Sequence, residues 1–204
     1  MGQLGKAADA KKQGDRSEDI ELSYYTVQPN RWTFQSDKIR EWVEERLDGR
    51  VLNACAGKTR LDHDGEIVRN DLDEEIDADL HVDVCEIADH FDVCSFDTIV
   101  FDPPFSEYQA NKSYEGRTVG SVALAKRQFH ELLRPGGRVI QFGFTTTNMP
   151  LALGYEREAV AIFNTLGQMN DYLGTVDRKL NGDLRRYSRS VDPDTDPTDT
   201  GGGP

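Results

Sequence analysis

Behind Ser36 and Asp37 the chain carries apolar residues at Ile39, Trp42, Val43 and Leu47, with charged residues between them. That spacing predicts an amphipathic helix over 36–47, with Ser36 as its N-cap and Asp48-Gly49 as its end. The pattern then tightens into short runs bounded by polar or glycine residues. Val51 to Cys55, Glu66 to Asp71, Ala78 to Asp83 and Phe96 to Phe101 each predict a strand. A polar loop follows near 106–117, then a helical pattern around 118–133 closed by Arg134-Pro135-Gly136-Gly137, then an apolar run over 138–144 that predicts another strand. Glu156 to Leu166 is expected to be helical, and Tyr172 to Leu180 to supply an edge strand. Strands alternating with helices predict an α/β fold with a doubly wound, mostly parallel sheet and a site at the carboxyl ends of its strands.

The 204 residues suit a single domain. Residues 1–20 hold few large apolar side chains, and residues 191–204, VDPDTDPTDTGGGP, are Asp, Thr, Pro and Gly after Val191. Both ends are expected to be disordered tails around a domain over 21–190. No internal repeat interrupts it. No run approaches the ~20 apolar residues of a membrane span, and the start lacks the apolar stretch of a secretory signal. These features predict a cytoplasmic protein without a membrane partner. Cys55, Cys85 and Cys94 show no C-x-x-C spacing and are expected to be buried, reduced thiols. His63, His81, His90 and His130 form no ligand spacing, so no metal is expected.

Charge changes this picture. The net charge is -13, and its makeup is biased: 23 Asp against 14 Glu, and 16 Arg against 8 Lys. With a mean hydropathy of -0.64, the surface is strongly acidic. Such a chain repels itself unless salt screens it, and at molar salt the Debye length falls to about 3 Å. The bias predicts a high-salt cytoplasm, as in halophilic archaea or their viruses. In that medium counterion release is already largely spent, so an acidic surface does not exclude a nucleic-acid partner.

Two segments carry candidate chemistry. Val51-Leu52-Asn53-Ala54-Cys55-Ala56-Gly57 is a buried strand running into a glycine turn, where a backbone can approach a ligand that a side chain would block. It is not a phosphate-binding loop, because Leu52 stands where that loop needs a glycine five residues before Gly57. Phe96-Asp97-Thr98-Ile99-Val100-Phe101 runs into Asp102-Pro103-Pro104-Phe105, a carboxylate on a proline-stiffened turn. Together with Leu132-Leu133-Arg134-Pro135-Gly136-Gly137-Arg138-Val139-Ile140, these segments resemble the class I S-adenosylmethionine-dependent methyltransferases. The resemblance covers roughly 50–143 and is most specific at Asp102 to Phe105, which looks like the Asp-Pro-Pro-Tyr/Phe motif of amino-methyltransferases such as the DNA adenine and cytosine amino-methylases.

The resemblance implies a Rossmann-like domain and S-adenosylmethionine as cofactor. It puts Asn53, Ala54, Cys55, Ala56 and Gly57 against the cofactor, with an amide at Asn53 where the family commonly has an acid. It assigns Asp71 to the ribose hydroxyls, with Asp73 in reserve, and Asp83 with Val84 to the adenine, with Glu86 as the alternative acid. Asp102 and the Pro103 carbonyl would accept the hydrogens of an amine, Pro104 would stiffen the turn, and Phe105 would stack on a base. Arg117 is a candidate for a substrate phosphate, Thr145 to Asn148 for the cleft wall. Tyr24-Tyr25 and Trp32-Thr33-Phe34 precede the first core helix, where the family places cofactor contacts. The implied reaction is methylation of an exocyclic amine of adenine or cytosine in DNA. An RNA base, a protein glutamine, or a binding module without catalysis are the alternatives, and oligomeric state stays open.

If the charge is a salt adaptation, the melting temperature should climb with KCl into the molar range. Thermal unfolding followed by circular dichroism over 0.1–3 M KCl checks this, and a flat or falling curve removes the adaptation.

Overall fold

The structure, a computed structural model, describes residues 20–104 and 121–181. One sheet contains β1 (Glu21–Thr26), β2 (Val51–Asn53), β3 (Ile67–Arg69), β4 (Phe96–Phe101), β5 (Leu133–Gly143), β6 (Tyr155–Asn164) and β7 (Tyr172–Lys179). Their order is β1-β6-β7-β5-β4-β2-β3. All pairings are parallel except those of β7, which runs against both β5 and β6. The α/β, mostly parallel architecture expected from the alternation is therefore present. From β2 the chain steps outward to β3, then returns across β2 to lay down β4 on its other side. The crevice between the carboxyl ends of β2 and β4 is thus the topological switch point, the place where such sheets take ligands.

The two faces are covered by different helices. α1 (Asp37–Glu44) follows Ser36, whose extended backbone marks the N-cap, and Asp37 sits favourably in the first turn. It buries Ile39, Trp42 and Val43 against Val100, Ile140, Phe142, Phe163 and Val176. Trp42 stands edge-on to Phe142 and Phe163, at 5.9 and 5.8 Å between centroids. Gly174 of β7 makes room for it: a Cβ there would lie 2.8 Å from the indole. On the other face α2 (Val122–Leu132) is capped by the Ser121 hydroxyl, which accepts from Leu124 N at 3.3 Å. Its Ala125, Phe129 and Leu132 pack on Ile99, Phe101 and Val139.

Several expectations are corrected. The segment expected as a helix over Glu156 to Leu166 is β6, with Tyr155, Ala159, Ala161 and Phe163 buried and a bulge between Arg157 and Ala159. Its Ala-Val-Ala-Ile-Phe run takes the two-residue period because Ala159, Ala161 and Phe163 meet the α1 side of the core. β7 lies inside the sheet, between β5 and β6, so the edges are β1 and β3. β1, over Tyr24-Tyr25, was not anticipated. The strand expected over 78–83 shrinks to a single bridge, Asn70 to Leu80. Pro135-Gly136-Gly137 lies within β5, which already begins at Leu133. The three cysteines are free, as expected, but Cys94 is exposed while Cys55 and Cys85 are half-buried.

No helix returns between β5 and β6; a short 3-10 turn, Leu151–Leu153, stands there. Buried polar groups hold that connection down. Lys126 of α2 donates to Asn148 O at 2.5 Å, and Asn148 Nδ2 donates to Val139 O at 3.1 Å. Met149 N donates to Asp177 Oδ2 at 2.8 Å, and Arg157 pairs with the same carboxylate while donating to Thr146 O at 2.8 Å. Phe105, Arg117, the loop over 106–117, residues 1–19, and the tail over 191–204 with the domain limit at 190 lie outside the described residues.

Trp42 joins α1 to β5, β6 and β7. Trp42→Ala should therefore lower the unfolding free energy by about 3–5 kcal/mol, read from urea unfolding at fixed salt. A loss below ~1 kcal/mol would mean that this core closes without the indole.

Candidate active site

The chain leaves β2 through Ala54, whose N donates to Val100 O at 2.9 Å, and Ala56, whose N donates to Asn70 O at 2.8 Å. At Gly57 the backbone turns into the left-handed region, φ +55, and a Cβ would come to 3.2 Å from the Trp32 ring. Conformation and space both favour glycine there. Its peptide is held at both ends. Gly57 N donates to Asp71 Oδ2 at 2.8 Å, and Gly57 O accepts from Arg69 Nη2 at 2.8 Å. The other oxygen of Asp71 accepts from Asp73 N at 3.0 Å. Asp71 is thus a buried anchor of the turn as well as the acid at the end of β3. Arg69, not singled out in the sequence, also donates to Thr59 O and Asp77 O. Nothing in an arginine on a short strand announces that its guanidinium folds back over the neighbouring turn.

Asn70 fixes the next loop. Its Nδ2 donates to Ala54 O at 3.1 Å and to Val82 O at 3.0 Å, and its Oδ1 accepts from Val82 N at 3.1 Å. A side chain thereby does the work of the missing strand, bringing Asp83 and buried Val84 to the same end of the sheet. Asp83 Oδ1 accepts from Cys85 N at 2.9 Å, while Glu86 is exposed.

Across the crevice, Asp102 follows directly on β4. Val100 belongs to the α1 side of the core, so the two-residue alternation carries Asp102 to that side as well. Its residue is half-buried, yet Oδ1 is shut off from solvent and has no hydrogen-bond partner. Burial pushes its carboxyl up to about 7, against a hydrogen bond from the Thr33 side chain that lowers it. Asn53, the last residue of β2, is fully buried, and neither atom of its amide is paired. Buried polar atoms are normally satisfied, and these two residues at the switch point are among seven described ones that keep an unpaired atom.

Trp32 to Phe34, Cys55 to Thr59, and Asp102 line one narrow cavity. Burial raises the Cys55 thiol, and the carboxylates of Asp71, Asp102 and Asp83 raise it further, in that order. Three acids, two at the ends of β3 and β4 and one in the loop between them, therefore act on one point. Phe34 belongs to the core, edge-on to Phe142 at 5.5 Å. Tyr25 stacks on Phe163 at 5.2 Å and Tyr24 is exposed on β1, so neither lines this cavity. Thr145 to Thr147 are exposed and Asn148 is a buried strut. Among the described residues no group of acids, histidines and cysteines has the arrangement of a metal site, and no helix is long and apolar enough to cross a membrane.

No protein-family model and no curated protein matches the chain. Solved structures do match in fold. The [4+2]-cyclase SpnF superposes with a TM-score of 0.53 at 13% identity, over 78% of this chain and 87% of that one. TrmN from Thermus thermophilus gives 0.51 at 16% identity over 71% of this chain, which spans only 49% of TrmN. The Burkholderia thailandensis 1,6-didemethyltoxoflavin-N1-methyltransferase, solved with 1,6-didemethyltoxoflavin and S-adenosylhomocysteine, gives 0.44 at 17% identity over 65% of this chain and 71% of that one.

The raised Asp102 carboxyl carries a consequence for stability. Between its unfolded value, 3.8, and about 7 the folded state binds the extra proton, so the group's contribution is present at low pH and lost as pH rises through 7. Asp102→Asn removes that loss. Its stability relative to the parent should increase from pH 5 to pH 8 by on the order of 1–3 kcal/mol, measured by urea unfolding of both proteins. An equal difference at both pH values would return Asp102 to an ordinary, solvated carboxylate.

Proposed function

We propose that this chain is an S-adenosylmethionine-dependent methyltransferase acting on an exocyclic amine of adenine or cytosine, with DNA the favoured polymer and a catalytic domain over 21–190. The observation that carries the reading is the meeting of Asp102, half-buried and with a shielded, unpaired Oδ1, and the left-handed Gly57 turn on either side of one crevice. The fold does not choose by itself, since SpnF, a [4+2]-cyclase, has it too. The residues in the crevice favour methyl transfer.

Asn53, with both amide atoms buried and unpaired, fits a ligand that offers a donor and an acceptor together, as an amino-acid moiety does. The Gly57 turn leaves backbone for such a moiety to lie against. The field of Asp71, Asp83 and Asp102 suits a cofactor that is positive at both its ammonium and its sulfonium. Asp71 has further lone pairs for ribose hydroxyls beside the two N–H groups it already accepts. Asp83 and Val84 stand beside the next loop for the adenine. S-adenosylmethionine supplies, when bound, a methyl group on a sulfonium that departs as a neutral thioether.

An aromatic amine is a poor nucleophile because its lone pair is spread into the ring. A group that holds the N–H bonds so as to free that pair lowers the barrier. Asp102 Oδ1 has the capacity to accept one hydrogen, and the Pro103 carbonyl the other, while Pro103 and Pro104 add no competing N–H. Phe105 and Arg117 keep the stacking and phosphate roles as part of this proposal. Only the ionised carboxylate serves fully, so the transfer rate should rise as pH increases through about 7. The acidic bias of the chain suits a salt-rich cytoplasm, where the substrate would be met with electrostatics largely screened.

The test is single-turnover transfer from labelled cofactor to DNA and RNA in molar KCl, followed by digestion to nucleosides, with cofactor binding measured separately by calorimetry. Asp102→Ala is expected to bind S-adenosylmethionine nearly as the parent does and to transfer methyl at least ~100-fold more slowly, about 3 kcal/mol of barrier. Near-parental transfer by the variant would reduce the motif to a structural turn, and absence of cofactor binding in the parent would remove the reading as a whole.

A further inference from the structure

The sheet has two edges, and they are finished differently. At β3 the outer backbone is taken: Arg69 N donates to Asp79 Oδ2 at 2.8 Å, and Arg69 O accepts from Asp79 N at 2.8 Å and from Leu80 N at 3.1 Å. At β1 it is open. Val27 N donates to Asn164 O at 2.9 Å, so the odd-numbered residues turn their N–H and C=O groups toward β6. By alternation Leu22, Tyr24 and Thr26 turn theirs to the free edge. Lys38 Nζ donates to Thr26 O at 2.8 Å from that outer side. Among the described residues nothing pairs there with the backbone of Leu22 or Tyr24.

The same residues carry an uncovered apolar stripe. Ala161 faces α1, so its register partner Ser23 does too, and Leu22 and Tyr24 stand on the opposite face. Leu22 is 78% exposed and Tyr24 63%, beside Ile162 of β6 at 36%. On that face α2 packs against Ile99, Phe101 and Val139, and no described element covers β1. Edge strands are commonly guarded against pairing by charge, proline or a bulge. β1 keeps an unbroken register with β6, has no proline, and holds one charged residue, Glu21, which Arg46 pairs at 2.6 Å. In a chain that is 30% charged with a net -13, this is a neutral strip on which a second acidic molecule meets little repulsion.

We propose that β1 pairs antiparallel with β1 of a second copy of this chain, about a twofold axis through Ser23. The free edge is self-complementary in that register. Leu22 of each copy exchanges N–H and C=O with Tyr24 of the other, while Thr26 O keeps its bond to Lys38. A register centred on Tyr24 would call on Thr26 O, which Lys38 already holds. The axis is perpendicular to the sheet, so the exposed side chains of both copies stay on one face. Each leucine then meets a tyrosine ring across the seam, a favourable cross-strand pair, and the small Ser23 stands at the axis where side chains come closest. Because the β3 edge is closed, the pairing ends at two copies and builds no fibre. The inference does not depend on what the crevice binds. With the two β1 strands antiparallel, the two crevices lie at opposite ends of the joined sheet.

The test follows the full chain by sedimentation velocity from about 2 to about 200 μM in molar KCl, beside residue-resolved amide exchange at both extremes. The parent should pass from monomer to dimer across that range. The amides of Leu22 and Tyr24 should exchange at least ~5-fold more slowly at the higher concentration, while those of Ser23 and Tyr25, already turned to β6, stay unchanged. Tyr24→Lys alters an exposed side chain and should weaken the dimer at least ~10-fold in Kd, whereas Tyr24→Phe stays near the parent. Leu22→Pro removes an N–H from the free edge and none from the ladder to β6, and should weaken the dimer as well. Parental melting temperatures show that the variants are folded, and if Leu22→Pro is not, Tyr24→Lys decides. The pairing is overturned by a parent that stays monomeric throughout, by a dimer in which Leu22 and Tyr24 exchange at the monomer's rate, or by one that Tyr24→Lys leaves intact.

Discussion

Every feature of the candidate site depends on the position of one three-residue strand. β2 has parallel partners on both sides, β3 and β4; the connection that leaves β2 goes outward to β3, and the one that leaves its neighbour β4 goes the other way, to β5. Two connections that part in this way cannot both cover the carboxyl end of the strand, so a crevice opens there as a matter of topology. Gly57 and Asp102 owe their meeting to that parting. The strand contributes only Val51, Leu52 and Asn53, all without solvent contact, and its burial on both faces is what fixes the register of the turn that follows.

Around the crevice two kinds of polar group behave differently. Asp71, Arg69 and Asn70 are buried and satisfied: their hydrogen bonds hold Gly57, Thr59 and Val82 at stated distances, so the turns are rigid without regular structure of their own. Asn53 and Asp102 keep atoms that are buried and unpaired. An unmade hydrogen bond in a low-dielectric interior costs about 1–3 kcal/mol. The fold bears this at two neighbouring strand ends, and also at Ser23, Trp42, Ser95, Gln141 and Asn148.

A buried ionic network replaces the helix that a doubly wound fold usually sets between β5 and β6. Lys126, Arg157 and Asp177 come from α2, β6 and β7, and with Asn148 they meet under the connecting segment. Charges so deep are stable only because each is hydrogen-bonded, Arg157 and Asp177 to each other and Lys126 to the Asn148 carbonyl.

What the sequence determined by itself was whatever depends on near neighbours. The spacing of Ile39, Trp42 and Val43 behind Ser36 made α1 legible, and the bounded runs at Val51 and Phe96 made β2 and β4 legible, since periodicity and capping are local matters. The turns at Gly57 and Asp102 were legible as candidate chemistry because glycine and a Pro-Pro step restrict the backbone wherever they stand. Partnership across the sheet was decided by the tertiary structure alone. Glu156 to Leu166 became β6 because Phe163 and Ala161 found Trp42 and Tyr25, and Tyr172 to Lys179 became an interior strand because β5 and β6 stood on either side of it. Arg69 and Asn70 gain their meaning from groups 12 residues away, as in the Gly57 and Val82 contacts. Side chains of that kind carry no local signal, because the energy that positions them comes from contacts that exist only once the sheet has closed.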